Sequence, residues 1–467
     1  MKRREFLRRM SSTAASVLTW PRWMYAQNEA NALMAKLEVQ DGASLATLPP
    51  DFMGLSYESA QLANPAFFAE ESTALIGLFR ELGSEGVLRL GGGTSEFTAF
   101  TTEEPKGPPP FDAVGPDMSK NVKSETPITP RSLRNLRAFL DATNWRCLYG
   151  LNLGRGTAEH AAEEAAAVQQ TLGSRLIAFQ LGNEPDAWRN RYRPANWSCA
   201  DYWKEWSAAH AVVVARVPQA KFAGPDVSNK MAYVTGFAAD VKDSALRDVV
   251  MLTSHYYAMG PAGAQGVTLD KLLSPDPKLA RDMEIAMEAA RSAGLPYRMS
   301  EGNSCWNGGE PGVSDTLASA LWAVDSMLRF ASLGCAGVNL HGGGNGYYTP
   351  IAGSLAGGFT RRPEFFGMKL ARELVGATLV QTSLQCGSDR VSAYVARKDR
   401  AELLLAINKT SQPLTMRAPM RKCHAHWLLT GPAIDARDGV TLTRSEGNVL
   451  GGGLLHVPPY SAVLTRS

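Results

Sequence analysis

Eight short apolar runs, each followed by a turn and then a helical pattern, recur between about residues 50 and 375, and this alternation leaves very few architectures open. The strand candidates are 52–57, 87–90, 147–151, 176–181, 221–224, 249–253, 297–300 and 337–341; helical patterns occupy 73–82, 158–172, 200–215, 279–293 and 315–333. Eight strand–helix units suit a closed (β/α)8 barrel (TIM barrel), whose usual length of ~250 residues tolerates insertions. A doubly wound open sheet is the competitor. It is disfavoured because no glycine fingerprint follows the first strand, and Gly91-Gly92-Gly93 lacks the G-x-G-x-x-G spacing. From about residue 375 the pattern changes to short alternating runs (391–395, 402–407, 413–416, 425–429, 439–442, 454–457) broken by Gly, Pro and Asn, the signature of an accessory antiparallel β-sandwich. The expected division is 1–26 leader, 27–50 a strand segment joining the sandwich, 51–374 barrel and 375–467 sandwich. Residues 105–130 carry seven prolines and no periodicity, and are expected to form a long loop on the face where barrel active sites sit.

Charge separates the leader from the rest. Residues 1–26 hold six basic residues and one acidic one, so the remainder has 42 basic and 44 acidic residues, a net of −2. That balance excludes a polyanion-coating protein, and no nucleic-acid partner is expected. Arg3-Arg4-Glu5-Phe6-Leu7 resembles the twin-arginine export signal of bacteria, with a weakly apolar stretch over 10–20 behind it. This stretch is far short of the ~20 residues of a membrane span, so an exported, periplasmic or secreted protein without a stable span is expected, cleaved near Ala26. Cys147, Cys199, Cys305, Cys335, Cys386 and Cys423 are widely spaced and read as free thiols.

Two strand ends carry glutamates. Leu181-Gly182-Asn183-Glu184-Pro185 closes the fourth strand and Met299-Ser300-Glu301-Gly302-Asn303 the seventh. The C-terminal ends of barrel strands converge on one mouth, so the two carboxyls are expected to face each other. Such a pair is what glycoside hydrolysis needs: one acid protonates the leaving oxygen while the other attacks the anomeric carbon. Pro185 fixes the turn after Glu184, and Asn183 supplies an amide for a sugar hydroxyl.

The motifs Gly54-Leu55-Ser56-Tyr57-Glu58, Leu88-Arg89-Leu90-Gly91-Gly92, Gly150-Leu151-Asn152, Gln180 to Pro185, His255-Tyr256-Tyr257, Glu301 to Gly309 and Gly344-Asn345-Gly346-Tyr347 occur in this order over nearly the whole chain after the leader. In this the chain resembles the heparanase and β-glucuronidase family, glycoside hydrolase family 79, as a bacterial member. The resemblance implies a retaining β-D-glucuronidase with Glu184 as general acid/base and Glu301 as nucleophile. It further implies that Asn183 bonds the 2-hydroxyl, that Tyr256 lies against Glu301 and orients it, and that Glu58 bonds sugar hydroxyls. The glucuronate carboxylate would be held by backbone N–H groups of Asn307, Gly308 and Gly309 together with Tyr347. Trp306 and Asn307 depart from the tyrosine and glycine of animal relatives. The chemistry requires no metal and no organic cofactor, and the partner is a carbohydrate. Glu184 is expected to be protonated, Glu301 ionised, and their carboxyls ~5–5.5 Å apart.

Three other readings stay open. One is an endo-acting, heparanase-like hydrolase of heparan sulfate; another a non-catalytic glycan-binding protein on the same scaffold; the third the same chemistry on a glucoside, xyloside or arabinofuranoside. Weaker candidates remain. His424-x-His426 lies in the sandwich without partners for a metal, and Cys305 reads as a packed small hydrophobe. His255 and His341 end strands six and eight and line the mouth or brace side chains. Trp188, Trp197, Trp203 and Trp206 follow the fourth strand as candidates for stacking on sugar faces, with Trp203 and Trp206 better read as helix core.

Overall fold

The computed structural model describes residues 32–103, 126–342 and 346–467. The leader 1–26, most of the proline-rich loop (105–125) and Gly344-Asn345 lie outside these. Eight parallel strands close a barrel in sequence order: Met53–Glu58, Val87–Gly91, Arg146–Leu151, Leu176–Leu181, Phe222–Val227, Val249–Pro261, Tyr297–Trp306 and Val338–His341. Each corresponds to one of the runs expected from the sequence. The fifth, sixth and seventh extend beyond those runs into polar residues that sequence patterning leaves as loop.

The barrel interior is layered, and the period of two along a strand explains the layers. Val87, Leu148, Ala178 and Ala223 form a small apolar plug. Two residues further along their strands the same inward face carries Arg89 and Gln180, both buried. The floor of the barrel is therefore apolar and the layer above it is polar and charged. Helices cover the outside. The Thr73–Leu82 helix buries Leu75, Ile76, Leu78, Phe79 and Leu82, and Phe79 meets Phe139 edge-on at 5.0 Å and Trp145 at 4.8 Å. Pro130–Thr143, which sequence patterning passed over, starts with Thr129 capping the Ser132 N–H and proline in the first turn, two local signals for a helix start.

A second, nine-stranded sheet is built from the 378–466 region and from Leu33–Thr47. Leu33–Thr47 pairs antiparallel with Thr378–Cys386 and parallel with Leu414–Arg417, so the strand that precedes the barrel lies inside the sheet that follows it. The sheet curls so that Leu37, Val380, Leu404, Leu414, Leu455 and Val463 from different strands share one core. Thr378–Cys386 and Ser461–Arg466 are strands that the sequence reading did not include. Sheet and barrel are joined through Asp325 of the Leu317–Ser332 helix, which accepts from Lys409 Nζ at 2.6 Å and from the Tyr394 hydroxyl at 2.8 Å. All six cysteines are free thiols. No helix among the described residues is long and apolar enough to cross a membrane.

Candidate active site

The fourth strand ends in a turn that only a narrow set of residues permits. Gly182 has φ +83°, and a Cβ there would sit 2.7 Å from the Trp188 ring. Glu184 itself is left-handed at φ 49°, a conformation uncommon for non-glycine residues and kept only where the surroundings impose it. Here the surroundings do. Asn183 N–H donates to Glu96 Oε1 at 2.6 Å, Glu184 N–H to the Asp226 carbonyl at 2.9 Å, and the Trp188 indole to the Asn183 carbonyl at 2.8 Å. Glu96 is buried and also receives the Leu153 and Gly154 N–H groups; burial pushes its carboxyl up to about 7, against the pull of those donors.

Glu301 instead stays within its strand, nearly buried. Its Oε1 accepts from the Tyr257 hydroxyl at 2.9 Å, and Arg89 Nη1 donates to its Oε2. His341 Nδ1 stands 3.6 Å from Oε2. One carboxylate oxygen of Glu184 and one of Glu301 lie within 4.8 Å of each other. His255 sits between the two acids: its Nδ1 is 3.0 Å from Glu184 Oε1, while its Nε2 is 3.2 Å from Asp226 Oδ2. Arg89 ties the floor together, reaching Asp226 at 2.5 Å, Asn183 Oδ1 at 2.7 Å, and Gln180 and Ser56 at 3.1 Å. Because its Oδ1 is taken by Arg89, Asn183 keeps its Nδ2 donors for the cavity.

These surroundings split the two glutamates. Burial raises the Glu184 carboxyl above its ordinary value, with the nearby Glu301 charge adding to the rise and His255 opposing it. Burial acts on Glu301 in the same sense, but the charges of His341, His255 and Arg89, with the Tyr257 hydroxyl, hold it down to about 2. Burial disfavours the charged imidazole of His255, yet Glu301 and Asp226 carry it up to about 10. Both ring nitrogens of His255 are engaged with carboxylates and a guanidinium bonds Glu301, so Glu184, His255 and Glu301 form an ion-pair network.

A cavity of about 890 Å³ opens above this floor, lined by Glu58, Asn183, Glu184, Glu301, Asn307 and Gly308 among others. Of the residues expected from the sequence, these six are brought together. Glu58 is fixed at the rim by the Thr94 N–H (2.8 Å) and hydroxyl (2.6 Å). Asn307 and Gly308, on the cavity wall, have φ 63° and 85° and are successive left-handed residues.

Three expectations need correction. Tyr256 does not touch Glu301: its hydroxyl donates to Asp276 at 2.6 Å, and Tyr257 is the residue on Glu301. Adjacent strand residues face opposite sides, so His255 and Tyr257 share the mouth and Tyr256 is turned away. Tyr348, not Tyr347, lines the cavity, its ring 5.7 Å from His341; Tyr347 is only half-buried and lies near Arg362. Gly309 stands behind the wall, where a Cβ would come 2.6 Å from the Tyr348 nitrogen. The tryptophans after the fourth strand are also spoken for, since Trp188, Trp197 and Trp206 are buried and Trp203 stacks on Trp206 at 5.2 Å.

Arg89, Asp226, Tyr257 and Glu96 were not singled out from the sequence. Arg89 did leave a signal, because an arginine inside the apolar run Val87-Leu88-Arg89-Leu90 must find buried partners.

No protein-family model matches the chain. Among curated proteins it is 26% identical over 434 residues to a β-glucuronidase of Aspergillus niger, covering 84% of this chain and 77% of that one. It is 22% identical over 414 residues to the heparanase of Gallus gallus, covering 75% and 74%. Over most of its length the chain is thus similar to β-glucuronidases and to a heparanase. Among solved structures, a 4-O-α-L-rhamnosyl-β-D-glucuronidase from Fusarium oxysporum has the same fold, with a TM-score of 0.69 at 17% identity over 93% of this chain and all of that one. These likenesses make the chain a glycoside hydrolase, and in such a barrel the mouth at the C-terminal strand ends is the place for chemistry.

Proposed function

We propose that this glycoside hydrolase is a retaining β-D-glucuronidase in which Glu301 is the nucleophile and Glu184 the general acid/base. The observation that carries the reading is a pair of carboxyls with oxygens within 4.8 Å whose surroundings push Glu184 towards its acid form and Glu301 towards its charged form. Inverting enzymes hold their carboxyls ~6.5–9.5 Å apart to admit a water between them.

In the first step a Glu301 oxygen bonds to the anomeric carbon as the glycosidic C–O bond breaks, and the Glu184 proton passes to the departing oxygen. The product is a glycosyl ester on Glu301 and a free alcohol. Esterification removes the Glu301 charge, and with it one reason for Glu184 to hold a proton, so Glu184 enters the second step as a carboxylate. It takes a proton from water as that water bonds to the anomeric carbon; the ester bond breaks, Glu301 leaves as carboxylate, and the configuration is retained. Asn183 Nδ2 serves the 2-hydroxyl, where a bond that tightens in the oxocarbenium-like transition state raises the rate. The N–H groups of Asn307 and Gly308, beside the ring of Tyr348, serve the glucuronate carboxylate.

The test compares hydrolysis of an aryl β-D-glucuronide with the matching glucoside and xyloside, in the wild type and in Glu301→Ala. Glucuronide turnover with retained configuration, abolished in the variant, is expected. Turnover of neutral glycosides alone would keep the catalytic pair and overturn the carboxylate pocket. Binding of glucuronides without turnover would favour the non-catalytic reading, and shortening of heparan sulfate before free glucuronate appears would favour an endo-acting enzyme. The division near residue 375 and export through the 1–26 leader belong to the same proposal, the latter checked by N-terminal sequencing of exported protein.

A further inference from the structure

The catalytic floor accounts for only the innermost part of the 890 Å³ cavity. The outer part holds one feature that the proposed reaction does not use. Among the described residues, the exposed large hydrophobic side chains are Met34, Leu45 and Trp306. The first two lie on the Leu33–Thr47 strand of the accessory sheet, away from the mouth. Trp306 lines the cavity with 45% of its surface open.

Its height above the chemistry follows from the strand. Trp306 ends the seventh strand, five residues beyond Glu301, and at ~3.3 Å per residue this places it up to ~16 Å from the nucleophile along the chain. The next residues, Asn307 and Gly308, are the ones assigned to the carboxylate of the ring on Glu301, which leaves the exposed indole beside them for a neighbouring ring of the sugar chain.

The mounting is rigid. The Trp306 carbonyl accepts from Ala262 N–H at 3.0 Å, and Glu310 accepts from Gly263 N–H at 2.5 Å, so the ends of the sixth and seventh strands are clamped together beneath the indole. Met259 and Val267 share that wall of the cavity. Between it and Glu184 the lining is polar, with Ser228, Asn229 and Arg191 contributed by the loops after the fourth and fifth strands. Glu184 must face the departing oxygen, so the leaving group extends towards these loops. Glu58, His341 and Tyr348 close the opposite side.

We propose that Trp306, backed by Met259 and Val267, is an outer subsite that stacks on the apolar face of a sugar ring in the leaving-group chain. The inference rests on the glucuronidase reading and deepens it: the preferred substrate is glucuronate borne on an oligosaccharide, not a glucuronide of a small alcohol. Sugar rings present C–H faces to an indole in the way aromatic rings present edges, and a rigid aromatic platform binds them at small entropic cost.

The experiment measures kcat/KM for methyl β-D-glucuronide and for a β-D-glucuronosyl-capped linear hexose trisaccharide, in the wild type, Trp306→Ala and Trp306→Phe. The wild type is expected to favour the longer substrate by about tenfold or more. In Trp306→Ala that ratio collapses towards one, mainly through a raised KM on the long substrate, and Trp306→Phe restores most of it. A wild type indifferent to length, or an alanine variant that keeps the wild-type ratio, overturns the subsite. If the wild type hydrolyses no glucuronide of either length, the glucuronidase reading fails first, which is distinguishable because no variant enters that result.

Discussion

The two sides of the barrel mouth carry the same residue type and treat it in opposite ways. On the fourth-strand side, Glu184 leaves its strand in a left-handed turn, keeps part of its surface open to the cavity and has one imidazole as its near partner. On the seventh-strand side, Glu301 stays in register, is nearly buried, and is surrounded by Arg89, His255, His341 and the Tyr257 hydroxyl. The first is pushed towards its acid form and the second is held as its base. Division of labour between two glutamates is thus a property of what each strand end places around them, not of the glutamates.

Exchanging or removing these surroundings tests that view. The largest effect is expected for Glu301→Ala, which removes the attacking atom and lowers kcat by at least ~10⁴-fold, measured on the aryl glucuronide. Glu184→Gln is expected to cost ~10²–10⁴-fold on a substrate with a poor leaving group and far less on one with a good leaving group, because only the former needs a proton. Equal losses on both substrates would break the comparison. Arg89→Met leaves Asp226 and Glu301 buried without their cation; chemical denaturation should show a loss of ~3–5 kcal/mol.

The pH profile sharpens the same contrast. With Glu301 held at about 2, kcat/KM should persist well below pH 4 while the fold lasts, and its alkaline limb should report the loss of the Glu184 proton. The smallest effect belongs to Glu96 beneath the Asn183 turn. Its carboxyl is raised to about 7 in the folded state, so the folded protein holds a proton that the unfolded chain has already released. Stability therefore falls as pH rises from about 4.5 to 7 and this contribution is constant above that. Glu96→Gln should remove that slope, seen by comparing the Tm of the two proteins at pH 4.5, 6 and 8.

What was legible in the sequence follows from the range of the interactions involved. Buried parallel strands read as apolar runs whatever surrounds them, so all eight were visible, as were the 73–82 and 158–172 helices with their strong local patterns. A glutamate at the end of such a run is also a local signal, and it located Glu184 and Glu301. Which of two adjacent tyrosines faces inward is a one-residue question of strand parity, and it is Tyr257, not Tyr256, that reaches Glu301. Asp226 was illegible because its partners Arg89, Gln180 and Ser300 come from three other strands. The Thr378–Cys386 strand was missed since its gaps between apolar residues are filled by Gln, Thr and Ser, and it is a strand chiefly because Leu33–Thr47 pairs with it.

That pairing has a consequence for biosynthesis. Thr47 and Thr378 touch through their hydroxyls at 2.7 Å although 331 positions separate them. At the ~5–20 residues per second of ribosomal elongation, Leu33–Thr47 emerges tens of seconds before its neighbours exist. Throughout that interval it is a naked strand with unpaired amides, a ready target for a chaperone or for another copy in the same state. Every truncated translation product lacking the last ninety or so residues inherits that exposed segment permanently. A cell making this enzyme therefore has a built-in mark by which incomplete chains differ from finished ones.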